Sequence, residues 1–275
     1  MSVTIFHNPG CGTSSNTLAV LEAAGLAPRV VEYLQTPPSP PEIVDLARRA
    51  GVPLRALIRR RGTPFDQLGL GDPGMTDADL LDAIAAHPIL LNRPIVVTDK
   101  AVALCRPSDA VLDMIEAPTP DVMRKADGAP LVTVRPLAEA EAARNALAAA
   151  GLPVDGIEGA HVALFEAIDS TRARVGFGAL EGKGPDLLLR SIVIVPERRG
   201  QGLGAPLVHA LERAAARRGA ERLHLLTDTA PFFETAGFGR ADRMSAPQSI
   251  AATAEFSTLC PASAVYLTRP VRTDW

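Results

Sequence analysis

The sequence His-Asn-Pro-Gly-Cys-Gly-Thr-Ser-Ser-Asn-Thr, residues 7–17, decides the fold of the first half of the chain. It follows a short apolar run at 3–6 that is typical of a strand, and it precedes residues 18–24, which are typical of a helix. Cys11 is therefore predicted to lie on a loop that opens a helix. One of the hydroxyl residues at 13–15 is expected to cap that helix.

The surroundings of Cys11 favour a reactive thiolate. A helix N-terminus carries free backbone N–H groups and a partial positive charge, so it binds oxyanions and lowers a thiol pKa. Gly10 and Gly12 leave the sulfur uncovered, and His7, when protonated, would add a second positive charge. The alternative for a lone cysteine is a buried, inert thiol.

Length and composition predict two globular domains. The chain has 275 residues, more than a typical single domain, and 47% of them are hydrophobic. A net charge of -3 gives no reason to expect a nucleic-acid or membrane partner. The 3 cysteines lack disulfide-framework spacing, and the sequence predicts neither a signal peptide nor an apolar run of membrane-spanning length. We therefore expect a cytoplasmic protein with free thiols, and we predict no metal site.

The first half has the element order of a thioredoxin-like fold with a helical insertion. Thr76 and Asp79 predict a capping box, and Pro94, before a strand, is the expected cis-proline. Strands are predicted at 3–6, 29–34, 95–98 and 101–105, and helices at 18–24, 42–50, 54–61, 77–87 and 109–115.

Four motifs make this half resemble the glutaredoxin-dependent arsenate reductases. They lie at 7–14, 54–59, 87–98 and 104–108, in the family's order, and span most of residues 1–116. The resemblance implies that Cys11 is the nucleophile, tuned by neighbouring His7 and Ser14. It also implies that Arg59, Arg93 and Arg106 form a triad that binds the oxyanion. A guanidinium group suits that role because it stays charged and binds tetrahedral oxyanions in bidentate fashion.

The resemblance implies arsenate as substrate, glutathione as co-substrate and glutaredoxin as partner. Position 14 is Ser14, so there is no Cys-x-x-Cys, and Cys105 is interpreted as a packed core thiol. Reducing equivalents should therefore come from outside the chain. A non-catalytic relative that binds RNA polymerase would carry the Cys-x-x-Cys switch and need no oxyanion triad. One departure is Ser15, where many relatives carry arginine.

Residues 117–130 are interpreted as a linker because they are proline-rich at first and then aperiodic. The second half continues with mixed elements. Strands are predicted at 131–135, 161–168, 174–180, 187–195, 223–227 and 264–267, and helices at 138–150, 205–218 and 247–259. Residues 231–238 are predicted to form a short helix that runs into a strand.

A glycine-rich loop at 196–204 follows the third of three antiparallel strands and precedes a helix. Arg199, Gly202 and Gly204 form an Arg-x-x-Gly-x-Gly pattern that would let backbone N–H groups hold a diphosphate. An ordinary turn or a dinucleotide-binding loop are the alternatives. An antiparallel sheet before the loop is unlike a dinucleotide-binding unit.

The loop at 196–204 and the later segment at 232–238 make residues 131–275 resemble the Gcn5-related N-acetyltransferases. The resemblance implies an α/β domain. The resemblance implies acetyl-CoA as co-substrate, with backbone groups of Val193 and Val195 at its pantetheine arm. Its pyrophosphate would be held by Arg199, Gly200, Gln201, Gly202, Leu203 and Gly204.

Two further positions bear on the second half. Relatives often have tyrosine, which protonates the leaving thiolate, where this chain has Phe233. The segment Cys-Pro-Ala-Ser-Ala at 260–264 resembles acetyltransferases associated with arsenic resistance. Cys260 is either a soft ligand for arsenic or a core thiol.

Together these resemblances predict two activities on one chain. The first is reduction of arsenate to arsenite through Cys11, with glutathione and glutaredoxin as reductant. The second is acetyl-CoA-dependent N-acetylation of a small amine, by hypothesis an arsenic-containing amino acid. The alternative is a redox or arsenic-sensing regulator whose C-terminal domain only binds acetyl-CoA or arsenic.

Overall fold

The computed structural model describes residues 2–261 and 263–272. The chain divides into two compact units, Met1–Gly128 and Ala129–Trp275, each with its own hydrophobic core. Ala262 of the 260–264 segment and the last three residues of the predicted second domain lie outside the described residues. Within the described ranges, no helix is long and apolar enough to cross a membrane.

The first unit is built on a four-stranded sheet in the order β2-β1-β3-β4. Its strands are β1 Val3–His7, β2 Arg29–Glu32, β3 Ile95–Thr98 and β4 Val102–Leu104. β1 pairs parallel with β2 and antiparallel with β3, as a thioredoxin-like fold requires. The α-helices are α1 Gly12–Ala23, α2 Pro40–Ala50 and α3 Asp77–Ala86. Short 3-10 helices span Leu54–Leu57, Pro88–Leu90 and Ser108–Asp113.

Several local predictions for this unit are confirmed and others are wrong. The Arg93–Pro94 peptide is cis, and Thr76 with Asp79 forms the capping box of α3. However, α1 begins at Gly12, so Cys11 itself holds the N-cap position and no side-chain hydroxyl caps the helix. The helix predicted at 54–61 ends early because the chain at residue 58 turns to form a β-bridge.

Residues 117–128, interpreted from sequence as part of the linker, pack on the first unit. Asn16 Nδ2 donates to Arg124 O at 2.8 Å, and Lys125 Nζ lies 3.2 Å from the buried carboxylate of Asp109. These contacts tie the segment to α1 and to the 3-10 helix that follows β4. The polar, aperiodic sequence gave no signal for them because the partners are distant in the chain.

The second unit is built on a seven-stranded sheet in the order β10-β11-β9-β8-β7-β6-β5. Its strands are β5 Val132–Pro136, β6 Val162–Asp169, β7 Arg174–Glu181, β8 Asp186–Ile194, β9 Arg222–Thr227, β10 Gly239–Arg240 and β11 Val265–Pro270. Its helices are α4 Glu141–Ala149, α5 Gly204–Arg217, α6 Ala230–Thr235, α7 Gln248–Ala251 and a π-helix at Glu255–Leu259. The single helix predicted at 247–259 is therefore interrupted.

The central feature of this sheet is the separation of β8 from β9. These parallel strands pair only where Asp186–Leu188 meets Arg222–His224. Further along, β8 carries a bulge against β7, and Ser191 has a φ of 54°. Residues of both strands beyond the paired part line a cavity of about 380 Å³.

Candidate active sites

The thiol of Cys11 lies at the mouth of α1. Its sulfur accepts a hydrogen bond from Arg106 Nη1 at 3.8 Å, and the first turn of α1 contains no acidic residue. Partial burial alone would raise the pKa of this thiol. The backbone N–H of Ser14 and the guanidinium of Arg106 outweigh that effect, with Arg93 adding to them, so the pKa of Cys11 is lowered. The geometry therefore favours a thiolate.

His7 and Ser14 support this thiolate differently from the expectation. His7 Nδ1 is 2.8 Å from Ser14 Oγ, which also accepts the backbone N–H of Asn8 at 3.1 Å. Burial lowers the pKa of His7 more than nearby Glu32 raises it. The imidazole is therefore a neutral positioning group near pH 7 rather than a second positive charge. Ser14 reaches the sulfur through its backbone N–H, while its hydroxyl holds the loop.

Arg59, Arg93 and Arg106 come from three distant segments and line one cavity of about 520 Å³ with Cys11. A β-bridge between Ile58 and Leu91 brings the first two segments together. Arg106 follows β4 and donates to the backbone carbonyl of Arg93 at 3.3 Å.

The electrostatics of this cavity suit an anion. Burial, and then the charges of Arg93 and Arg106, lower the pKa of Arg59, so the three guanidinium groups crowd one another. Among the described residues, the buried Nε atoms of Arg59 and Arg93 have no hydrogen-bond partner. Three guanidinium groups that line one cavity, two of them with an unpartnered Nε, suit the binding of a tetrahedral oxyanion.

The same cavity is also lined by Asn16 and by residues 125–127, which the sequence did not predict for the site. Lys125 brings a fourth cation to its edge, held by buried Asp109. Tyr33 is fully buried close by and donates to Leu91 O at 3.3 Å. No residue pattern in the segment 125–127 could have predicted its place at the cavity, because that place follows from tertiary packing alone.

In the second unit, the glycine-rich loop leads into the N-terminus of α5. Gly200 and Gly202 have φ values of 75° and 74°, a conformation that side chains disfavour. A Cβ on Gly204 would lie 3.0 Å from the ring of Phe232. Arg199 Nε donates to Ile194 O at 3.2 Å, and Gln201 Nε2 donates to a loop carbonyl. The loop therefore has the open backbone of an anion cradle.

The backbone groups of Val193 and Val195 remain a prediction for the pantetheine arm. Val195 N–H donates to Val175 O at 3.1 Å, and the side chain of Val193 is buried in the core that α4 covers. Ile192 and Ile194 line the cavity. The bulge decides which side chains of β8 face it, because it shifts the alternation of the strand by one residue.

Phe233 lines this cavity and packs edge-on against Phe232 and Phe238. Its ring offers no proton to a leaving thiolate. Tyr266 cannot replace it from its present position, because its hydroxyl lies 2.6 Å from buried His224 Nδ1, and it does not line the cavity. Cys260 does line the cavity, and burial followed by the charge of Glu255 raises its pKa to about 11. It is therefore a neutral, half-buried thiol.

The described residues contain no group of three or more histidine, cysteine, aspartate or glutamate side chains placed to hold a metal ion. The two sites thus consist of a cysteine with arginines in the first unit and an open-backbone loop with a cleft in the second.

A thioredoxin-like fold that presents a thiolate to three arginines defines a class of thiol-dependent, oxyanion-binding proteins. The ArsC family model matches residues 6–114, and the chain belongs to this family. An arsenate reductase of Rhizobium meliloti is 52% identical over 128 residues, which are 46% of this chain and 91% of the relative. An Escherichia coli arsenate reductase is 45% identical over 131 residues, 48% of this chain and 93% of the relative.

The second unit carries an acetyltransferase (GNAT) domain, whose family model matches residues 159–240. Among solved structures, an arsenate reductase from Vibrio cholerae is 42% identical, with a TM-score of 0.41, covering 42% of this chain and 98% of its own. N-acetylglutamate synthase from Neisseria gonorrhoeae, complexed with coenzyme A and N-acetyl-glutamate, is 18% identical, with a TM-score of 0.40, covering 51% of this chain and 35% of its own.

Proposed function

We propose that the first unit reduces arsenate to arsenite, with glutathione and glutaredoxin as the source of electrons. The observation that carries this proposal is the shared cavity in which the Cys11 sulfur meets three arginines with unsatisfied Nε donors on two of them. The relatives named as arsenate reductases support the substrate. The absence of a Cys-x-x-Cys at the site supports an external thiol reductant.

The chemistry follows from these groups. The Cys11 thiolate attacks As(V) and displaces hydroxide, which leaves as water after protonation, while the arginines hold the remaining oxygens. A glutathione thiolate then displaces a second hydroxide. Glutaredoxin thiolate attacks the glutathione sulfur, and the electron pair of the arsenic–sulfur bond stays on arsenic. Glutathione and glutaredoxin are thereby oxidised to a mixed disulfide, arsenic is reduced to As(III), and water releases arsenite from Cys11.

The test is arsenite formation by the full chain with glutathione and glutaredoxin, each supplied or omitted. We expect the wild type to need both and Cys11→Ser to lose the activity. Cys260→Ser is the matched thiol control, because Cys260 lies in the other unit, and it should reduce arsenate normally. Activity that survives in Cys11→Ser, or that needs no glutathione, would contradict the proposal.

For the second unit we propose acetyl transfer from acetyl-CoA to a small amine. The separation of β8 from β9 next to the loop at 199–204 supports it, because the cleft and the cradle adjoin through Gly204. The amine is proposed to be an arsenic-containing amino acid, and the position of the Cys260 sulfur, a soft ligand type, on the cavity wall supports this choice. Competition between an aminoalkyl arsonate and matched arsenic-free amines would test it, and preference for the arsenic-free amines would exclude it.

Phe233 favours a second candidate, in which this unit binds acetyl-CoA without transferring the acetyl group and regulates the reductase. A cleft without a tyrosine hydroxyl at this position lacks one proton donor for the leaving thiolate. Acetyl-CoA binding that changes arsenite formation, with no N-acetylated product by mass spectrometry, would favour regulation over catalysis.

A further inference from the structure

Glu255 begins the π-helix and lines the cavity between β8 and β9. The residue is only 8% exposed. In the described part of the chain, its Oε2 accepts no hydrogen bond, although Arg190 Nη2 lies 3.2 Å away. A buried carboxylate oxygen without a donor is costly and calls for an explanation.

The donors of Arg190 explain why this oxygen is left unsatisfied. Its Nε, Nη1 and Nη2 donate to Ser191 Oγ, Glu181 Oε2 and Asp155 O, at 3.3, 2.6 and 3.0 Å. Three of the five N–H groups of Arg190 thus donate to other groups, and Glu255 Oε2 receives the charge of the guanidinium without a hydrogen bond from it.

The charges around Glu255 do not balance. One buried cation, Arg190, serves two carboxylates, Glu181 and Glu255, which leaves one negative charge when both are ionised. Cys260 is neutral, and exposed Asp228 adds a further carboxylate to the cavity wall. Arg243 is directed to the backbone carbonyls of Phe256 and Pro261 instead. The cavity thus lacks one cation that carries hydrogen-bond donors.

We propose that Glu255 receives the ammonium group of the acceptor and is the base that deprotonates it. The inference rests on the proposed acetyltransferase function and assigns its acceptor to the primary ammonium compounds. An ammonium supplies both the charge and the donors that the cavity lacks. Burial, opposed by Arg190 and reinforced by Glu181, raises the pKa of Glu255, so the carboxylate is a better proton acceptor than an exposed one.

Acetyl transfer from the thioester to an ammonium compound requires two proton transfers from nitrogen. Glu255 takes one proton from the ammonium, and the nitrogen lone pair attacks the thioester carbonyl carbon. The carbon–sulfur bond breaks, and the electron pair leaves on the coenzyme A thiolate. The nitrogen gives a second proton to that thiolate, directly or through water, and the amide is complete. Glu255 then releases its proton to solvent before the next turnover.

The experiment compares wild type, Glu255→Gln and Glu255→Asp as full chains. Glycine, glutamate, ethanolamine and an aminoalkyl arsonate are the probe amines, and mass spectrometry detects the N-acetylated product. We expect Glu255→Gln to bind acetyl-CoA normally by calorimetry but to lose about 10²-fold or more in kcat/KM. The rise of kcat/KM with pH should move to the higher pH at which the amine itself loses its proton, whereas Glu255→Asp should keep the rise on the acid side at a lower rate.

Glu158→Gln is the matched control, because Glu158 is an exposed glutamate of the same unit that pairs with Arg144. It should behave as wild type. Unchanged kcat/KM and pH dependence in Glu255→Gln would overturn the inference while the acetyltransferase stands. Loss of acetyl-CoA binding in both Glu255 variants would give the residue a structural role and overturn it too. No product from any probe with wild type would overturn the acetyltransferase itself, and the inference with it.

Discussion

Arg59 and Arg60 are adjacent in sequence, but their side chains have opposite surroundings. Arg59 lines the Cys11 cavity with a buried Nε, while Arg60 is 72% exposed and pairs with Asp66. Sequence reasoning could separate them only through a family resemblance, because both belong to one basic run. The difference arises where the chain turns into the bridge at Ile58.

This pair gives a sharp test of the oxyanion site. We expect Arg59→Gln to lower kcat/KM for arsenate by about 10²-fold, as the loss of one preorganised donor typically does. Arg60→Gln should change it by less than about 2-fold, because exposed ion pairs contribute little. Steady-state arsenite formation measures both, and equal losses in the two variants would argue against the cavity as the substrate site.

His7 predicts a pH dependence of stability with a definite sign. Burial lowers its pKa in the folded state, so below the ordinary value of about 6.5 the unfolded chain binds more protons. The free energy of unfolding should therefore fall as the pH drops through that value. The fall ends once the folded-state pKa is passed.

Urea unfolding of wild type and His7→Gln across this pH range measures the effect. The variant should show a shallower loss of stability on acidification. Part of the slope should remain, because burial also lowers the pKa of His224 in the second unit. Identical slopes in the two proteins would mean that His7 is not held neutral by the fold.

Sequence patterns predicted secondary structure best where local chemistry decides it. The capping box of Thr76 and Asp79 and the exact bounds of β3 are examples. The bulge in β8 was not predictable, because it depends on contacts across the sheet. A Cβ on Gly176 would lie 2.2 Å from Val193 O, and a Cβ on Gly178 would lie 2.4 Å from the Leu211 side chain. Glycine at these two positions of β7 therefore lets the bulged strand and α5 approach closely.

The glycine-rich loop allows a prediction with a matched glycine. Gly202 and Gly219 have φ values of 74° and 79°, and a Cβ on either would meet no neighbour within 4 Å. Changing either to alanine should cost about 1 kcal/mol of stability through backbone strain alone. Only Gly202→Ala should also weaken acetyl-CoA binding, because Gly219 follows the far end of α5. Calorimetric titration distinguishes them, and equal affinities would place the cofactor elsewhere.

The two units are matched by separate family models, and the sequence motifs identified both families. The position of residues 117–128 could not be predicted, because Lys125 and Asp109 are brought together only by the folded chain.

Two truncations test whether residues 117–128 belong to the first unit. We expect residues 1–128 to fold and to retain the arsenate reductase activity proposed for the full chain. Residues 1–116 should be less stable by roughly 3 kcal/mol, because removing Lys125 leaves the buried Asp109 carboxylate without its ion pair. Thermal unfolding of the two fragments is the measurement, and equal melting temperatures would show that the segment is a linker after all.

The guanidinium groups around Cys11 have a consequence for selectivity. As the proposed oxyanion site, they would recognise size, negative charge and tetrahedral geometry, and phosphate has all three. Inorganic phosphate should therefore act as a competitive inhibitor that also shields the thiol from alkylating agents. Discrimination falls to the sulfur, since arsenic readily accepts an electron pair from thiols and phosphorus does not. Cellular phosphate would then set the apparent KM for arsenate while leaving kcat untouched.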